Sequence, residues 1–208
     1  MFTINKHIAR IGVVLVLAAM AGCSSTPTYP PAPKQSGKVD WNYLIGPGDS
    51  VQVFVWRNPD VSGTFPVRPD GKMTMNLIED IQASGKTPTQ LARDIEKSLS
   101  KYIQEPIVTV IVAGGVGPFD QQIRVVGEAA KPQALNYREK MSLVDLMIDV
   151  GGLTDFAAGN KAYILRRAKD GKQERLGVRL EDLLKGGDIS ANVDMRPGDV
   201  LVIPESLF

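Results

Sequence analysis

Apolar residues in this chain change period in a fixed order, and they do so twice. Val51, Val53 and Val55 alternate with Gln52, Phe54 and Trp56, the period of a strand with two distinct faces. Leu91, Ile95, Leu99 and Ile103 then recur every four residues, opposite Arg93, Lys97 and Lys101, as on a surface helix. The β-branched run IVTVIV at 107–112 returns to strand. Beyond GGVGP at 114–118 the order repeats. QIRVVGE precedes a helix face of Leu143, Leu146, Met147 and Val150, and AYILRR, EDLLKGGD and an apolar run at 200–203 follow. A helix stripe and the inner face of a strand stay dry by covering each other. This order therefore predicts two α+β modules, the second built on a mixed sheet.

Turn chemistry punctuates both modules. GPGDSVQVFV at 46–55 and PGDVLVI at 197–203 share one phrase. Proline presets φ at the first corner, glycine accepts the positive φ that follows, and aspartate bonds back to its own backbone. Neither copy runs into a helix, and neither does GGVGP, so none is a nucleotide-cradling loop. In PVRPDGKMTMNLI, Asp70-Gly71 predicts a hairpin turn, with Met73, Met75 and Leu77 on one face. Thr87, Pro88 and Gln90 predict a capping box opening a helix that ends before Pro106. Ser142 and Asp145 predict a second box, and Gly151-Gly152 ends that helix. Asp170-Gly171 predicts one more turn.

The first residues carry an address. Lys6 and Arg10 precede an almost unbroken apolar run at 11–21, too short for a permanent span, which is the layout of a secretory signal. Ala21-Gly22-Cys23 resembles a bacterial lipobox, although Met20 stands where leucine is commoner. The resemblance implies cleavage after residue 22 and lipid on Cys23, and Ser24 in place of aspartate favours the outer membrane. Residues 23–39 hold four prolines between 24 and 38 and no apolar periodicity. They read as a tether reaching about 45 Å when extended. More than one acyl chain on Cys23 makes such an anchor stable. No later segment is apolar over a helical span, and the ladder of alternating strands that a barrel needs is absent. Phe208 is therefore either a decoy or a docking tip.

Removing the leader removes chemistry. The single histidine, His7, leaves with it, and the single cysteine becomes the anchor. Without them a chain has no Ser-His-Asp or Cys-His site, no zinc site of usual ligands and no disulfide. The expected catalytic, cofactor and metal sites are accordingly none, with Cys23 the only site residue. Basic and acidic side chains number 24 and 23, so nothing attracts nucleic acid.

YLIGPGDSVQVFVW, PVRPDGKMTMNLI, SGKTPTQLARDIEKSL and YIQEPIVTVIV together resemble the export domain of bacterial outer-membrane polysaccharide export proteins, the Wza-like family. VVGEAAKPQALNY, SLVDLMIDVGGLTDFA, AYILRR and RPGDVLVIPE resemble the soluble-ligand-binding β-grasp (SLBB) repeat that follows it there. The resemblance implies a fold class of α+β, with a small mixed-sheet export domain at 40–115 and a β-grasp-like domain at 119–208. These follow a signal peptide at 1–22 and the tether at 23–39. It implies a periplasmic lipoprotein that forms a homo-oligomeric ring and helps a polysaccharide cross the outer membrane, with an inner-membrane co-polymerase as partner. Long members continue through a second repeat into a pore-forming helix. This sequence resembles the short members, including those of exosortase-type systems, which implies a collar used with a separate outer-membrane barrel protein.

Other readings remain open from the residues. Trp41, Trp56 and Tyr43 are candidates to stack on sugar rings or to pack the core. A polymer-cleaving enzyme needs two carboxylates several ångströms apart, and Asp60, Glu79, Asp80 and Glu105 are available by count. Asp49, Asp70, Asp170 and Asp199 sit at turn corners, which already explains them. Arg57, Lys72 and Glu79 read as a solvated face. A glycan-binding or envelope-bracing lipoprotein that transports nothing shares the same anchor, and a glycan sensor requires a discrete pocket.

Overall fold

The computed structural model of the chain describes residues 29–34, 41–115, 117–168 and 171–206. Cys23, Phe208 and Asp170 lie outside the described residues.

In the first module, β1 (Ser50–Val55) is flanked by β2 (Gly63–Pro66) and β5 (Val108–Gly114), giving the order β2-β1-β5 with antiparallel ladders. β3 (Lys72–Met75) and β4 (Ile78–Gln82) form a separate antiparallel pair. Val51, Val53 and Val55 are buried, as their alternation predicts. The helix α1 (Pro88–Leu99) lays fully buried Leu91, Ile95 and Leu99 into the same core. Each such side chain contributes about 2 kcal/mol of burial free energy. The capping box is present: the Thr87 hydroxyl accepts from the Gln90 amide at 3.2 Å, and Gln90 Oε1 accepts from the Thr87 amide at 2.9 Å.

Two local readings need correction. α1 stops at Leu99, before Pro106 as expected, so Ile103, read as part of the helical stripe, packs on the core from a turn that follows the helix. The Asp70-Gly71 turn is present, with the Gly71 amide donating to Arg68 O, but it connects strands of different sheets. The true hairpin of this region is β3–β4, and it reverses at Asn76-Leu77, where Leu77 takes φ 69°. Leucine is not a turn residue, so composition hides this reversal. Arg93, on the exposed side of α1 as its place opposite the stripe predicts, also donates to Val108 O at 3.2 Å, while Glu96 accepts the Val108 amide at 2.9 Å. Together they seat the start of β5.

The second module is a five-stranded mixed sheet ordered β7-β6-β10-β8-β9. Its strands are β6 (Gln122–Gly127), β7 (Ala134–Asn136), β8 (Tyr163–Arg167), β9 (Gln173–Gly177) and β10 (Val200–Ile203). Central β10 runs parallel to β6 and antiparallel to β8. Against it pack α2 (Leu143–Asp149) and the short α3 (Leu180–Leu184). α2 buries Leu143, Leu146 and Met147, and Val150 at its end is buried too. Its box is formed by Ser142 and Asp145, whose carboxylate accepts the Ser142 amide at 2.9 Å. Bonding to the Ser142 hydroxyl, then to that amide, holds the Asp145 carboxyl below its ordinary range.

Candidate functional site

The two Pro-Gly-Asp turns fold alike. Gly48 and Gly198 take φ of 88° and 84°, the corner that only glycine fills cheaply. Each aspartate donates its amide to the carbonyl three residues back, Gly46 or Arg196, at 3.2 and 3.1 Å. Each carboxylate then accepts the amide of that same residue, at 2.8 Å in both turns. This is the local bonding the sequence suggests. The side chains also reach much further, which the sequence does not signal.

Asp49 is fully buried and joins the two modules. Its Oδ2 accepts the Tyr43 hydroxyl at 2.5 Å, and its Oδ1 accepts the Gly117 amide at 2.9 Å, from the segment linking the modules. Burial first, and then the adjacent Asp49 carboxylate, push the Tyr43 phenol well above its ordinary pKa. Backbone approach at this join is close. A Cβ added to Gly46 would lie 2.3 Å from the Gly117 carbonyl carbon. Trp41 closes the join, meeting Tyr43 edge-on at 6.3 Å and Tyr137 at 5.3 Å while packing on the second module's core. Asn136 donates to Gly115 O from the second module. Two of the three candidate sugar-stacking aromatics, Trp41 and Tyr43, are thus structural.

Asp199 plays the matching part inside the second module. Arg166 donates to both of its oxygens, from Nε at 2.9 Å and Nη2 at 2.6 Å, with the two residues 5% and 1% exposed. Arg166 also donates to Asp194 O at 3.1 Å. The fork ties β8 to the turn that launches β10.

The third aromatic, Trp56, lies on the outer face of the first module's sheet. It is 54% exposed and stands 6.3 Å from Phe54, itself 47% exposed, in an edge-to-face pair. Ile107 and Ile111 are exposed from the neighbouring strand region, with Gln52 opposite Ile111 and Phe54 opposite Thr109. The alternation of β1 shows where Phe54 points. What the sequence withholds is that no second layer among the described residues covers that face.

The proline-rich segment supplies a further departure. Tyr29–Ala32, read as free tether, docks on the open edge of β9 through a parallel bridge between Pro31 and Gly177. The Ala32 amide donates to Gly177 O at 3.0 Å, and the Gly177 amide donates to Pro30 O at 2.8 Å. Ala32 is buried in the second core. Tyr29 meets Tyr163 at 4.9 Å between ring centres, and the Arg175 guanidinium lies over both rings. Proline donates no hydrogen bond, which suits an edge, and the aromatic and cation–π contacts fix the segment there. Between this segment and the module body is a cavity of about 840 Å³.

The carboxylates weighed for catalysis are dispersed in role. Asp80 shares Arg68 with Asp70, at 2.8 and 2.5 Å, and Lys72 lies 3.8 Å from Asp80. Arg68 holds the Asp70 carboxyl down to about 2. Asp60, Glu79 and Glu105 are exposed. Among the described residues no cluster of three or more histidines, cysteines or acids could hold a metal, and no helix is long and apolar enough to cross a membrane.

Comparison with known proteins matches these two modules in turn. Residues 37–113 match the polysaccharide biosynthesis/export protein family, and residues 122–185 match the SLBB domain, together more than half of the chain. The EPS I polysaccharide export outer membrane protein EpsA of Ralstonia nicotianae is 24% identical over 188 residues, covering 78% of this chain and 47% of its own. The polysialic acid transport protein KpsD of Escherichia coli is 24% identical over 162 residues, covering 78% of this chain and 28% of its own. The chain thus spans about half the length of these curated relatives, or less. Their names describe export and transport, not catalysis. With one export domain followed by one SLBB domain, the chain belongs to the Wza-like polysaccharide export family.

Proposed function

We propose that the protein is a lipid-anchored component of a polysaccharide export apparatus in the cell envelope. It is held to the outer membrane through Cys23, with both modules in the periplasm. There it forms an oligomeric collar through which the polymer passes. The observation that carries this reading is the pairing of an export domain with an SLBB domain through a buried, hydrogen-bonded join at Asp49. A join of that kind suits a fixed guide better than a reactive cleft. The collar reading draws support from the outer face of Phe54, Trp56 and Ile111, an apolar patch of the sort that marks contact with another protein surface. The inner-membrane co-polymerase and a separate outer-membrane barrel protein are the partners this arrangement calls for.

Deleting the gene and restoring it in trans tests the reading. Polymer retained inside the envelope of the deletion strain, and released again on complementation, supports export. Unchanged secretion with a leaky envelope refutes it in favour of a bracing lipoprotein. Native mass of the mature protein in detergent tests the collar, and mass spectrometry of Cys23 tests the anchor.

A further inference from the structure

The cavity beside the docked Tyr29–Ala32 segment has a sorted lining. Lys34, Lys161 and Arg179 border it, and among the described residues no aspartate or glutamate does. That is a local excess of positive charge in a chain whose acidic and basic side chains are nearly equal in number. Arg179 is already engaged, with Asp182 at 2.9 Å and Asp188 at 3.0 Å. Lys34 and Lys161 are exposed and make no ion pair among the described residues. Two lysines without an ion pair among the described residues thus line one cavity.

The remaining surface is unlike that of a simple ion site. Ala162, Val178, Ala191 and Val193 give an apolar floor, the Tyr29 and Tyr163 rings form one wall, and Ser190 offers a hydroxyl. Arg175 lies over both rings and pins that wall. Small side chains at the floor leave room for a flat ring of C–H groups, and 840 Å³ is ample for one or two sugar units. A carboxylated sugar carries what this lining complements: an apolar ring face, hydroxyls at its rim and one negative charge.

We propose that this cavity binds carboxylated sugar units, with Lys34 and Lys161 as carboxylate partners and Tyr29 and Tyr163 as the ring-side wall. The inference rests on the polysaccharide reading above and adds to it the acidic class of saccharide. It also has a mechanical corollary. Tyr29, Pro31, Ala32 and Lys34 belong to the docked segment, so an occupied cavity holds that segment against β9.

The test titrates the mature chain in detergent with an oligogalacturonate and, in parallel, with a neutral maltooligosaccharide of equal length. Heat of binding is measured, and amide exchange is followed at Ala32 and Gly177. The expected result is saturable binding of the oligogalacturonate alone, weakened at least tenfold in Lys34→Gln/Lys161→Gln. Exchange at both amides should slow on binding. Because both lysines are exposed, that variant folds, and its unchanged circular dichroism confirms this. Absence of oligogalacturonate binding overturns the proposal, as does equal binding of the neutral sugar, or binding indifferent to the two lysines. Competition by inorganic phosphate at equal concentration also overturns it, reducing the cavity to a plain anion site. The secretion phenotype of the deletion strain is independent of these titrations. A strain that fails to export while its protein binds no uronate thus loses this inference and keeps the export reading.

Discussion

The carboxylate of Asp49 and the amide of Gly117 are 68 residues apart in the chain and 2.9 Å apart in space. That single acceptor also satisfies the Gly46 amide and the Tyr43 hydroxyl. Asp49→Ala leaves these three donors short of their shared acceptor in a site without solvent. The expected cost is about 3 kcal/mol, read as a lower urea midpoint with unchanged slope. Asp49→Asn, which keeps an acceptor but lacks the second carboxylate oxygen, should fall between the two.

Tyr43 makes the join sensitive to alkali. Its folded-state pKa is raised, so its contribution is full below the ordinary tyrosine value of about 10 and is lost as pH climbs through the higher folded value. The wild-type urea midpoint should therefore fall between pH 9 and pH 11 more steeply than that of Tyr43→Phe. Trp41, edge-on to Tyr43, reports the transition by fluorescence.

The Arg166–Asp199 fork should behave as a buried pair. Asp199→Leu alone strands a guanidinium that is almost fully covered, at a cost of about 3–5 kcal/mol. Arg166→Met/Asp199→Leu should recover most of that loss, since replacing both partners with apolar groups removes the stranded charge. A denaturation double-mutant cycle measures the coupling.

Trp56 separates assembly from stability. At 54% exposure it adds little to the fold of the isolated chain, so Trp56→Ala should shift the unfolding free energy by no more than about 0.5 kcal/mol. If the outer face of β1 packs against another copy, the same change lowers native mass in detergent and reduces polymer release. A full-sized assembly in the variant would place that contact elsewhere.

Much of the scaffold is legible residue by residue. Thr87-Pro88-x-Gln90 and Ser142-x-x-Asp145 name both capping boxes because a helix start has only a few ways to satisfy its free amides. The valine alternation of β1 names its buried face for an equally local reason. The misses have a common cause: each depends on a pairing partner and not on the residue's own preference. β2 is a four-residue strand holding a glycine and a proline, and it exists because β1 offers an edge to it. The Asn76-Leu77 reversal is imposed by β3 and β4 pairing around it, at a residue with no turn preference of its own. Asp49 and Asp199 look like ordinary turn aspartates until the fold brings Gly117 and Arg166 to them. Proline content correctly says that residues near 30 form no helix. It is silent on whether an extended piece finds an edge, which is why the cavity beside Tyr29 has no signature in the sequence.

The bridge from Pro31 to Gly177 has one more consequence, for how copies of this protein can meet. An open β9 would be a template on which a neighbour's strand could continue the sheet without limit. Here the chain's own prolines occupy that place and offer few donors outward. Growth by strand pairing is blocked on that side, so copies that meet through the second module must use its side-chain faces or the β7 border at the opposite end of the order.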